Sequence, residues 1–183
     1  MAAKSTKSVA TWGYVKRQLQ GLGQDGLVAL VHDLYFANKD NQAFLQSRFG
    51  IGENRLASYK KTIERWLWPD VLKNQDTSVA KAKKAIADYK KAVGHPDSMA
   101  ELMVYFCECA AGFSADIGLA DERYFDALVR MFDAALTAAA ALPADQRDAF
   151  ISRLGRVRDI SQNLGYGVGD EMDDLFEAHG VDE

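Results

Sequence analysis

This sequence predicts an all-α fold, and three observations lead there. Apolar residues recur at three- and four-residue spacings along most of the chain, and no run of four or more residues alternates apolar with polar as a half-buried strand does. Glycines, prolines and capping residues fall between the periodic segments, where helices start and stop. With 183 residues, 48% hydrophobic and 26% charged, the chain is large enough to bury a sizeable core in a single domain. The expected architecture is a compact irregular bundle of about eight or nine antiparallel helices joined by short connections.

Thr11 is placed to cap a short first helix carrying Trp12, Val15, Leu19 and Leu22, and Asp25 to cap a second carrying Leu27, Leu30, Val31 and Leu34. Gly21, Gly23 and Gly26 make the corner between them. Asp40 starts a third helix with Phe44, Leu45 and Phe49, which the segment Gly50-Ile51-Gly52 stops. Residues 54–68 form a fourth with Leu56, Tyr59, Ile63, Trp66 and Leu67, ended by Pro69, which has no amide hydrogen to continue the ladder. Thr77 or Ser78 opens a fifth, with the stripe Val79, Ala82, Ile86, Tyr89 and Val93, and Gly94 closes it.

Ser98 with Glu101 three residues on is a capping-box pattern for a sixth helix, through Met99, Leu102, Met103, Phe106, Ala110 and Phe113. A seventh, over 120–142, presents Phe125, Leu128, Val129, Phe132, Leu136 and Ala139, and its alanine-rich end invites close approach of a neighbour. Pro143 and Asp145 begin an eighth with Phe150, Leu154, Val157, Ile160 and Leu164; Asp170 begins a short ninth with Met172, Leu175 and Phe176. The ends, 1–9 and 180–183, are expected to be loose, and the corner at 94–98 is the candidate seam between subdomains. No repeat signature is present.

The charge is unevenly distributed. Residues 1–94 hold 16 basic and 8 acidic residues, or +8, whereas 95–183 hold 6 and 18, or −12, giving the net −4. All twelve lysines precede residue 92. Such polarity bears on partners and association, and it leaves open whether the halves attract each other or a partner. Cys107 and Cys109, one residue apart, cannot make a disulfide framework, and the start of the chain has no apolar signal core. A protein of the cytoplasm with no membrane partner is the expectation.

Chemistry is sparse. His32, His95 and His179 are scattered, no HExxH or CxxC occurs, and no serine sits in a Gly-x-Ser-x-Gly turn. No catalytic residue and no cofactor are therefore assigned. Glu101 and Glu108, seven apart on one helical stripe and about 10 Å apart along the axis, are candidates to hold a divalent cation for a hydrolase, if a third element folds over them. Asp121, Glu122, Asp170 and Glu171 are candidates for that element. Their plainer role is as surface carboxylates or partners for Arg123, Arg130 and Arg153. The segment Gly165-Tyr166-Gly167-Val168-Gly169-Asp170 looks like a phosphate loop but has no Lys-Ser/Thr, and it runs into an acidic helix that would repel phosphate. It reads instead as a helix end at Gly165 followed by an N-cap at Asp170.

The lysine-rich fifth helix carries more. Lys81, Lys84 and Lys91 fall opposite its apolar stripe, while Lys83 and Lys90 flank it; Lys60, Lys61 and Arg65 lie on the preceding helix. If the two helices pair, these residues form a cationic ridge suited to phosphates or to an acidic protein face. No aromatic platform is legible among them, which disfavours single-stranded nucleic acid.

Several blocks together resemble a bacterial family catalogued as a domain of unknown function. They are the opening helices ending in Leu30-Val31-His32-Asp33-Leu34-Tyr35, AKAKKAIADYKKAVG from Ala80, AELMVYFCECAAGF from Ala100, DERYFDAL from Asp121 and GYGVGDEM from Gly165. The resemblance implies a small all-helical bacterial protein and brings no activity with it. The functional expectation is a protein-binding module acting through a polarised charged surface, with a nucleic-acid-associated protein as the alternative and a metal-dependent hydrolase as the third.

Overall fold

The computed structural model describes residues 11–51 and 56–181, and the chain divides into two compact units, residues 1–42 and 43–183. The described residues form nine α-helices joined by short turns and irregular segments, with no strand among them. In order these are α1 (Trp12–Gln20), α2 (Gln24–Ala37), α3 (Lys39–Phe49), α4 (Ala57–Leu67), α5 (Val79–Ala92), α6 (Pro96–Ile117), α7 (Glu122–Ala140), α8 (Ala144–Ser161) and α9 (Val168–Ala178). A single 3-10 turn, Val71–Lys73, stands between α4 and α5. The division at 42/43 falls within α3, and the 94–98 corner lies inside the second unit.

In the first unit, α1 and α2 do not pack along each other, and neither buries a side chain. The pair of stripes that the spacing predicts is therefore present on the helices without being joined. Thr11 precedes α1, but its hydroxyl makes no capping bond, and Gly23 takes the N-cap position of α2, leaving Asp25 in the first turn.

The second unit is built around α6, which packs against α4, α5, α7 and α8, with α9 closing against α7 and α8. Leu102, Val104, Phe106 and Cys107 of α6 are fully buried, as are Leu128, Phe132 and Leu136 of α7 and Leu154 of α8. Ala135 and Ala139 are also fully buried, so small side chains at the end of α7 do permit a close neighbour. Tyr124 joins two distant segments: its hydroxyl donates to the carbonyl of Leu67 at 2.9 Å. That carbonyl lies in the last turn of α4, where intrahelical partners run out.

Several helix starts differ from the sequence expectation. Asn38, not Asp40, caps α3, its Oδ1 accepting from the Asn41 amide at 2.8 Å. The fourth helix begins at Ala57; residues 52–55, with Gly52 and the expected start at 54, lie outside the described residues. Helix α6 begins at Pro96, whose fixed φ and missing N–H suit a first helical position. Ser98 and Glu101 are thus already inside the helix, and the capping box does not form. Helix α7 is bounded at 122–140, within the expected 120–142, and Asp121 caps it, accepting from the Tyr124 amide at 3.0 Å.

The eighth helix ends at Ser161, before the expected Gly165, and the ninth begins at Val168 with Gly167 (φ 74°) in the N-cap position. Asp170 is in its first turn instead of capping it. Of the expected loose ends, 1–9 and 182–183 lie outside the described residues, while Val181 packs against the core and its amide donates to the Phe176 carbonyl at 3.1 Å.

Candidate functional site

Two charged arrangements stand out in the second unit. The first is the ridge on α4 and α5, which do pair. Lys61 and Arg65, four apart, share a face of α4, and Lys81, Lys84 and Lys91 share a face of α5. The two faces meet at Trp66. The Arg65 guanidinium lies 4.5 Å and the Lys81 ammonium 3.7 Å from the Trp66 ring centroid, both within cation–π range. Lys61, Lys81, Lys84 and Lys91 are exposed and Lys83 is half-buried. Lys84 finds a carboxylate one turn on, Asp88, at 2.5 Å.

This corrects the sequence expectation that the ridge lacks an aromatic: Trp66, counted there as part of the core stripe, is half-buried and sits among the cations. Its neighbour Arg65 was the only signal available in sequence, because the contact with Lys81 depends on how two helices pack.

The second arrangement holds Lys60 away from that ridge. Lys60 Nζ lies 2.5 Å from Glu101 Oε1 and 4.9 Å from the Tyr105 ring centroid. From the other side, Arg153 of α8 bridges both carboxylates of α6: Nη1 and Nη2 donate to Glu101 at 2.5 and 3.1 Å, and Nε and Nη2 donate to Glu108 at 2.8 and 2.7 Å. The third element over Glu101 and Glu108 is therefore α8, and it brings a cation. Burial alone would raise the Glu101 carboxyl, but hydrogen bonds from Arg153 and Lys60 outweigh it and hold the group below its ordinary value. Glu108 first, with Glu101 helping against the cost of burial, holds Arg153 charged well above its own.

Two positive and two negative groups, each with side-chain exposure between 20% and 31%, make a neutral clamp across α4, α6 and α8. The other acidic candidates are elsewhere: Asp121 caps α7, Glu122 follows it, and Asp170 and Glu171 occupy the first turn of α9, where carboxylates suit the helix dipole. Arg130 pairs locally with Asp126 at 3.4 Å. Among the described residues, no group of three His, Cys, Asp or Glu side chains is placed to hold a metal ion.

Cys107 and Cys109 are buried and unpaired with each other. Burial pushes the Cys107 thiol well up, and pushes Cys109 up to about 12 despite a hydrogen bond with Tyr105. Two shallow depressions mark the surface. One, near Ser114, Gly118, Ile160 and Asn163, is lined by no titratable side chain; the other lies beside Asp97, Ser98 and Glu101.

Fold and site together define an all-α protein whose second unit carries a tryptophan-centred cationic ridge. No family model, no curated protein and no solved structure matches the chain. Among the described residues, no helix is long and apolar enough to cross a membrane.

Proposed function

We propose that the protein is a binding module that takes an acidic face of another protein on the α4–α5 ridge. The observation that carries this reading is the Arg65–Trp66–Lys81 stack, set in a row of exposed lysines. A cation held against an indole is fixed in place without being neutralised, so it stays available to a carboxylate while losing less side-chain freedom on binding. The ring supplies apolar contact area beside the charges, the usual composition of an interface anchor.

The same stack argues against the nucleic-acid alternative. Two cations already occupy the ring, and a base would have to displace one to stack on it. The −12 of residues 95–183 adds repulsion toward a long polyanion. Two unpaired buried thiols suit a reducing compartment, and the cytoplasm is the location we assign.

Calorimetric titration of the whole chain with a polyglutamate peptide and, separately, with a duplex oligonucleotide tests the reading. Saturable, salt-weakened binding of the peptide with weak or absent retention of the duplex supports it. Tight duplex binding at about 0.15 M salt, where exposed charges are already well screened, puts the nucleic-acid reading in its place.

A further inference from the structure

Helix α2 is apolar and α1 amphipathic, and neither buries a side chain. Of their large hydrophobic side chains, Trp12 is 69% exposed, Val28 62%, Phe36 64% and Leu34 49%. α2 carries apolar residues on two sides: Leu27, Leu30, Val31 and Leu34 at helical spacing, and Val28 and Phe36 two turns apart, with the His32 ring 4.7 Å from that of Phe36. A helix apolar on more than one face belongs inside something. At 9 and 14 residues, neither is long enough to be stable by itself in water.

We propose that the occupant is a second copy of this chain, each copy's α1 lying against its partner's α2 around a two-fold axis. Charge supports that pairing. α1 carries Lys16 and Arg17 with no carboxylate, and α2 carries Asp25 and Asp33 with no lysine or arginine. A two-fold operator that sets one copy's α1 on its partner's α2 also sets the partner's α1 on the first copy's α2, so each contact joins a positive helix to a negative one.

Area supports it too. The ten large apolar side chains between residues 12 and 36 that stand 36% or more exposed present on the order of 1,000 Å² per copy, against roughly 800 Å² per partner in a stable interface. The proposal is independent of the α4–α5 ridge.

The test is the mass of the whole chain in solution by sedimentation equilibrium over a wide concentration range. The native chain is expected at twice 20.2 kDa. Val28→Asp with Leu34→Asp should shift it to the monomer while the melting of the second unit is retained. Lys16→Glu with Arg17→Glu should weaken the dimer about tenfold or more, and adding Asp25→Lys and Asp33→Lys to that variant should restore it. A native chain that stays monomeric throughout, a dimer indifferent to the aspartate substitutions, or a charge reversal that is not rescued would overturn the proposal.

Discussion

The indole of Trp68 lies where a side chain at residue 112 would be. A Cβ built on Gly112 of α6 would sit 2.4 Å from Trp68 Cζ3 and 2.8 Å from Cη2, closer than carbon atoms approach. A glycine in the middle of a 22-residue helix costs about 1 kcal/mol relative to alanine, and here it is the condition for the chain after α4 to close against α6.

Gly112→Ala should therefore destabilise the native chain by about 1–2 kcal/mol, the overpacking exceeding the gain in helix propensity. In a Trp68→Ala background the same change should be neutral or stabilising, because the clash is gone while the propensity remains. Chemical denaturation of the four proteins in the cycle measures this; equal costs in both backgrounds would separate the two residues.

The clamp at Arg153 gives a second expectation. Arg153→Gln leaves Glu101 with Lys60 and takes from Glu108 the cation that bridges it to Glu101, and should cost roughly 2–3 kcal/mol, below the value for a fully buried pair because the groups are partly exposed. The carboxyl of Glu101 is held below its ordinary 4.5. Its contribution is thus present above that pH and lost as pH falls through the lowered folded value. Acid melts should show this loss in the native chain and a shallower one in Arg153→Gln.

The core helices were legible in sequence because periodicity alone fixes them. The stripe through Phe106 and that through Phe132 are buried as the spacing predicts. The starts were less legible where two signals compete: Pro96 at a first helical position overrides Ser98 as a cap, and the shift frees Glu101 to face α8 instead of its own helix end. The candidate site was half visible. Its lysines stand out as a run, but Lys81 on Trp66 and Arg153 on Glu101 join residues 15 and 52 apart, contacts that depend on packing and leave no local pattern. That α1 and α2 bury no side chain was invisible for the same reason, since their stripes look like those of any buried pair.

Phe106→Ala and Phe132→Ala should each cost about 3–5 kcal/mol, as truncations of fully buried aromatics do. Losses below about 1 kcal/mol in urea unfolding at both positions would place the core elsewhere.

The two thiols should be inert in the folded protein. With Cys109 pushed up to about 12 and Cys107 held well above its ordinary value by burial, little thiolate exists at mildly alkaline pH. Reaction with a chromogenic disulfide should be slow in the native chain and fast for two equivalents after unfolding. A rapid equivalent in the native state would mean that α6 is more open than its packing indicates.

The most direct measurement compares the native chain with the variant carrying Lys81→Gln, Lys84→Gln and Lys91→Gln, reading polyglutamate affinity and melting temperature on the same samples at low and high salt. The lysines are exposed, and the pair that Lys84 makes with Asp88 is local. Stability should accordingly change by less than about 1 kcal/mol, while affinity falls by about tenfold and its salt dependence flattens. Unchanged peptide binding together with a large drop in melting temperature would contradict the account, because the ridge would then serve the protein's own acidic half and not a partner.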